Sequence, residues 1–221
     1  VSLSFHNKKL LYLIISDYAL EIKQSGFSVY EQVVNATTIS DGTNNADVTV
    51  NGTLGADNTD PVAPIPEGSD KWINVTLDTA TIFYNTQTDK NIVSPTYNIT
   101  NNSGRPVSFK VNSFKQNDSV PLSSISSLNA NFTRKVTATD TSGSNVSTNL
   151  ITGGSINSDF SSATSTQLAN KNGMLSAKDT SGAYSNSATF NYNGTVTDKL
   201  TATINPKFTM NLLFTPSDWT K

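Results

Sequence analysis

Tyr97-Asn98-Ile99-Thr100-Asn101-Asn102-Ser103-Gly104-Arg105-Pro106-Val107-Ser108-Phe109-Lys110-Val111 decides how this chain folds. Tyr97 and Ile99 alternate with polar residues on one side of an Asn-Asn-Ser-Gly cluster, and Val107, Phe109 and Val111 alternate on the other. Successive side chains of a strand point to opposite faces, so a period of two marks a strand with one buried and one wet face. Asn and Gly tolerate the positive φ of a tight turn, so the stretch predicts two strands joined as a hairpin.

The same signature recurs outward in both directions. Ile73, Val75 and Leu77 alternate, and Ala80, Ile82 and Tyr84 continue after a bend at Asp78. Further on come 132–138, Ala188-Phe190-Tyr192, Leu200-Ala202-Ile204 and Phe208-Met210-Leu212 at alternate positions. Residues 139–186 are polar and rich in Ser, Gly and Asn, with weaker strand candidates at 146–151 and 173–176. Seven or more short strands between Gly, Asn and Pro turns predict an all-β protein, an antiparallel β-sandwich over residues 71–221. Its expected core is Ile73, Val75, Phe109, Val111, Phe190, Tyr192, Ala202, Ile204, Phe208 and Met210.

Residues 35–70 read as a connector carrying one strand. Val48, Val50, Gly52 and Leu54 alternate with Thr49, Asn51 and Thr53. Pro61, Pro64 and Pro66 then make an extended spacer that cannot join a sheet ladder. The expectation is a donor-like strand on a Pro-rich tether that either reaches a neighbouring subunit, with Val48, Val50 and Leu54 as its assembly contacts, or folds back as an edge strand of its own chain. Residues 1–34 form an N-terminal extension of different composition: no threonine occurs before Thr37, and thirty occur from there on. Lys8-Lys9 before the apolar run 10–15 has the order of a secretion signal, but Asp17 and Glu21 follow at once and no Ala-x-Ala site appears. Short strands at 9–16, 19–24 and 27–34 fit these residues, and so does a helix through 8–23, since Leu11, Ile14, Ile15 and Tyr18 fall at helical spacing.

Composition narrows the chemistry. Ser, Thr and Asn fill 85 of 221 positions, and charged residues make up only 14%. Cytosolic enzymes carry far more Glu, Lys and Arg on their surfaces, so an extracellular setting is expected. Without cysteine there is no disulfide, thiol nucleophile or thiolate metal site. A Ser–His–Asp triad would need His6, the sole histidine, and a glycosidase would need two placed carboxylates where most aspartates flank predicted turns. A net charge of -2 offers nucleic acid no long-range attraction, and the six-residue apolar run cannot cross a membrane. Asp57-Asn58-Thr59-Asp60 clusters oxygen ligands but lacks the spacing and terminal Glu of a calcium loop, so it reads as a turn. Nine Asn-x-Ser/Thr sequons occur, against about seven from composition alone, so they mark glycosylation only weakly. No enzymatic activity, cofactor or metal is expected. Trp72 and Trp219 are candidate glycan contacts, with plugging of the sandwich ends as the alternative.

Several stretches together resemble a known family. Trp72-Ile73-Asn74-Val75-Thr76-Leu77, Ile82-Phe83-Tyr84, the run 91–107, and Phe190-Asn191-Tyr192-Asn193-Gly194-Thr195-Val196 followed by Leu200-Thr201-Ala202-Thr203-Ile204-Asn205-Pro206 resemble Gram-positive surface β-sandwich proteins related to the WxL family. The resemblance covers residues 46–216. No Trp-x-Leu motif is present, since Ile73-Asn74 follows Trp72 and Thr220-Lys221 follows Trp219, so peptidoglycan binding through that motif does not carry over. A Leu-Pro-x-Thr-Gly sorting signal is also missing. The strand-then-tether order is similar to TasA-like matrix fibres, whose subunits donate a strand to their neighbours. These likenesses imply a secreted or cell-surface structural protein, a filament or biofilm-matrix subunit. Its partners would be copies of itself or a cell-wall or matrix glycan. The rival expectation is a monomeric adhesin or carbohydrate-binding module.

Overall fold

A computed structural model describes residues 54–137, 143–179 and 182–219. The chain divides into two units, Val1–Val48 and Thr49–Lys221, and the described residues belong to the second. They are all-β. Ten strands follow a 3-10 turn at Asp70–Trp72: β1 (Val75–Leu77), β2 (Asn91–Ile92), β3 (Tyr97–Asn101), β4 (Val107–Gln116), β5 (Ile125–Arg134), β6 (Asn145–Thr152), β7 (Ser155–Ile156), β8 (Thr166–Leu168), β9 (Ser187–Val196) and β10 (Phe208–Pro216). Every pairing between them is antiparallel. One sheet runs β1-β3-β9-β5-β6-β7, with β2 on the far half of β9, and curls into a half-barrel. A second sheet, β10-β4-β8, closes over it.

Alternation explains the core. On β4, Val107, Phe109 and Val111 are buried while Asn112 and Lys115 are exposed. β5 sends Leu128, Ala130 and Phe132 inward and β9 sends Ala188, Phe190 and Tyr192. Phe109 meets Phe132 edge-on at 5.3 Å between centroids, and Phe132 meets Phe190 at 5.7 Å, so three rings join the two sheets. Burying each ring contributes about 1.5–3 kcal/mol. A bulge opposite Leu128 and Asn129 leaves Leu150 unpaired, and with it Leu150 and Ile151 both turn inward. At Gly194 a β-carbon would lie 2.0 Å from the Ser127 carbonyl oxygen, so only glycine lets β9 meet β5 there.

The expected hairpin at 97–111 is corrected. β3 pairs with β1 and β9, β4 with β10 and β8, so the two strands lie in different sheets. Residues 101–106 form an arch between them, buried at Asn101, Ser103 and Arg105. Asn101 takes over the backbone's hydrogen bonding: its Nδ2 donates to the Arg105 and Ala169 carbonyls at 2.8 Å each, and its Oδ1 accepts from Ser103 N. Gly104 is required because a β-carbon would lie 2.8 Å from the Asp60–Pro61 peptide.

Other expectations divide. Residues 145–152 form a strand, while 173–176 form turns and 200–204 form part of the β9–β10 connection. Ala202 is exposed and Ile73, Val75, Ile204, Phe208 and Met210 are half-buried, because they stand at the open side and ends of the sandwich. From Asn58 onward the tether folds back onto the sandwich, one of the two courses open to it. Gly104 N donates to the Asn58 carbonyl at 2.8 Å, Asn58 Nδ2 donates to the Lys71 carbonyl, and Lys171 Nζ donates to Thr59 Oγ1. The prolines that keep it out of a ladder do not keep it off the surface.

Candidate functional site

β10 is the longest free strand edge among the described residues. Among the described residues it hydrogen-bonds to β4 alone, whereas the other edge strands β1, β2, β7 and β8 have three, two, two and three residues. An unpaired edge is a template for another strand, and soluble proteins usually blunt it with charge, proline or bulges. Between Phe208 and Thr215 there is no charged residue and no proline; Lys207 and Pro216 stand only at the ends, and the one irregularity is a register shift at Asn211/Leu212, whose extra residue, Asn112, lies on β4. Phe208, Met210, Leu212 and Phe214 turn one apolar row inward and remain half-buried.

Beside that edge lies a cavity of about 520 Å³, opened between β10 and the extended segment 81–85. Its floor is Phe83, Ile92, Phe114, Ile125, Tyr192 and Val196, and the β9–β10 connection contributes Leu200 and Ile204. Phe208 stacks on Phe114 at 4.8 Å and leans on Phe83 at 5.9 Å. Tyr192 hydroxyl and Thr81 Oγ1 are 3.1 Å apart. Burial pushes the Tyr192 phenol above its ordinary value, with the Thr81 hydrogen bond opposing that shift. Just before β10, Asp118 accepts from Gln116 Nε2 at 2.6 Å, Lys207 N at 2.7 Å and Val120 N at 3.2 Å. The Gln116 hydrogen bond foremost holds its carboxyl below the usual value, and the three contacts fix where β10 begins.

A second constellation sits at the opposite end of β10. Arg105 Nε donates to both Glu67 carboxylate oxygens at 3.0 and 3.2 Å, and Nη1 donates to the Pro61 carbonyl at 2.7 Å. Its guanidinium carbon lies 4.0 Å from the Trp72 ring centroid and 4.9 Å from that of Trp219. Trp72 Nε1 donates to the Pro66 carbonyl, and Trp219 N donates to Glu67 Oε2. A planar cation that forks onto a carboxylate and stacks between two aromatic faces is a task lysine cannot perform. This clamp ties the tether, the arch and the chain's last described residues together.

Each site residue expected from sequence can now be placed. Trp72 and Trp219 are 0% and 4% exposed, so they form no open glycan platform; their faces are covered by Arg105. Leu54 is 98% exposed. Val48 and Val50 lie outside the described residues. Asp57 and Asp60 accept from Thr59 N and Val62 N in their own turns, and the Thr59 contacts hold Asp57 below its usual value. No cluster of three metal-ligating residues and no helix able to cross a membrane occurs among the described residues. Sequence reading missed Arg105, Glu67 and the groove. Arg105 did carry a signal, being one of two arginines in the chain and flanked by Gly and Pro. No protein-family model matches the chain, and no curated protein is similar to it.

Proposed function

We propose that this protein is a non-enzymatic extracellular structural subunit, of a filament or matrix fibre, that assembles by β-strand donation. The β10 edge and its groove are the acceptor and residues 46–54 the donor. The observation that carries this reading is a nine-residue edge with an apolar row and no protective charge, lying beside an open apolar groove. An incoming strand satisfies the free N–H and C=O groups of β10 while its alternate side chains fill the groove. Val48, Val50 and Leu54 would each contribute roughly 1.5–3 kcal/mol on burial. The composition, rich in Ser, Thr and Asn with only 14% charged residues, supports a setting outside the cell.

Electron microscopy of the full chain and of a variant lacking residues 46–54 tests the reading. Fibres from the first and dispersed particles from the second are expected; equal fibres from both would refute donation. The rival, a surface adhesin or glycan-binding module, draws on the outer face of the larger sheet. There Asn149, Asn129 and Asn193 form a row of paired amides, with Asn131 and Asn191 in a second. Binding of neutral polysaccharide by a fibre-free protein would favour it.

A further inference from the structure

We infer that the outer face of the larger sheet is a binding surface for a neutral, hydroxyl-rich polysaccharide whose chain lies along the strands. That face belongs to one sheet and the β10 edge to the other, so one subunit can use both, and the inference does not rest on strand donation. Alternation gives β3, β5, β6 and β9 one inward and one outward row each. Every outward residue of these four strands is Asn, Ser or Thr. Register aligns them across the sheet, as in the row of Asn145, Thr133, Thr189 and Asn98. Composition alone does not produce such a face. The smaller sheet, built from the same chain, shows Lys110, Lys115 and Leu213 on its outer side.

The rows hold their amides in fixed orientations. Asn149 Nδ2 donates to Asn129 Oδ1 at 3.3 Å, and Asn129 Nδ2 donates to Asn193 Oδ1 at 3.3 Å. Asn131 Nδ2 donates to Asn191 Oδ1 at 3.1 Å. An amide carries two N–H donors and two acceptor lone pairs, so Asn129 keeps one of each for a ligand. A sugar hydroxyl donates and accepts at once and can complete both. Side chains already oriented lose little freedom when they bind. Three features then select the ligand class. No charge stands among the outward residues; Asp78 and Lys135 lie only at the β3 margin, where both hydrogen-bond with Asn98, so an anionic polymer finds no cationic row. The face has no aromatic, Met or Arg, the residues that anchor protein partners. Because the sheet curls, the face is convex across its strands. A second protein would touch it along a line, whereas a slender polymer can follow one strand and meet an outward side chain about every 6.6 Å.

Affinity electrophoresis tests this. The dispersed full chain is run through native gels holding a neutral glucan, mannan or galactan, and through one holding carboxymethyl cellulose. Retardation by at least one neutral polymer and none by the anionic one is expected. Asn129→Ala combined with Asn131→Ala should cut that retardation several-fold. Asn149→Ala, at an exposed position of the same row, takes its place should circular dichroism show the double variant unfolded. Asn112→Ala breaks the like amide pair with Asn211 on the smaller sheet and should leave retardation unchanged. Leu213→Lys alters only the β10 edge and should be retarded as the wild type is, so a failure of strand donation and a failure of this inference are read separately. No retardation by any neutral polymer, retardation by the anionic polymer alone, face variants retarded like the wild type, or loss of binding in Asn112→Ala or Leu213→Lys would each overturn it.

Discussion

Glu67 and Arg105, 38 residues apart in sequence, form a forked ion pair whose arginine side chain is 5% exposed and whose carboxylate side chain is 31% exposed. It joins the segment before the first strand to the arch between the sheets. The pair is closed over by Trp72 and Trp219, so its attraction acts in a medium less screening than water.

Replacing Arg105 by Ala should therefore cost stability twice, by leaving the Glu67 carboxylate without its cation, only the Trp219 N–H still donating to it, and by opening space between two tryptophans. Breaking a fully buried pair costs about 3–5 kcal/mol, and the partial exposure of Glu67 lowers the expected figure to about 2–3 kcal/mol. Urea unfolding of the dispersed protein checks it. A loss below about 1 kcal/mol would mean the clamp is ornamental to stability.

The β10 edge should behave in the opposite way. Leu213 is 45% exposed, so Leu213→Lys should shift the unfolding free energy by less than about 0.5 kcal/mol. The same substitution places a charge on the free edge and should abolish fibres. Sedimentation and chemical denaturation of one preparation report both effects. Fibres persisting at wild-type yield would rule β10 out as the acceptor.

Gly194→Ala should be among the costliest single-atom additions in the domain, because its β-carbon would fall 2.0 Å from the Ser127 carbonyl oxygen. Moving that backbone means breaking the β5–β9 ladder, so a loss above about 2 kcal/mol is expected. A thermal melt compared with that of Gly153→Ala separates close approach from the general cost of losing glycine. Gly153 has positive φ but nothing within 4 Å.

Two groups, Asp118 at the start of β10 and Tyr192 in the groove, set how this end of the sandwich responds to pH. Asp118 is held below its usual value of 3.8, so the folded state prefers the carboxylate. Its contribution is present above 3.8 and is lost as pH falls through the lower folded value, loosening the start of β10. Tyr192 is raised above 10.0, so the folded state prefers the neutral phenol. That preference costs nothing below pH 10, and stability falls as pH rises from there through the raised folded value. Phenolate absorbance against pH, compared between wild type and Tyr192→Phe, reads the alkaline limb; a wild-type tyrosine titrating at its ordinary value would contradict the buried setting.

Local alternation made the strands legible and left their partners illegible. Phe109, Val111, Phe190 and Tyr192 reached the core as their spacing required. The Asn101–Pro106 stretch has the composition of a tight turn, yet Asn101 and Ser103 use their side chains to satisfy an arch instead. Nothing local distinguishes the two uses, since the partners of Asn101 include Ala169, 68 residues away. Leu200-Ala202-Ile204 has the period of a strand but runs across the sandwich end, where no neighbour offers a ladder. The clamp was hidden for the same reason: Glu67, Arg105 and Trp219 meet only once both sheets are assembled.

Assembly by donation requires that β10 accept a strand. Backbone hydrogen exchange of the full chain, measured residue by residue in the assembled and the dispersed state, tests that most directly. Strong new protection on assembly, concentrated in the amides of Phe208–Thr215 and of residues 46–54, is the predicted result. Amides of β10 that exchange as freely in fibres as in dispersed protein would contradict it.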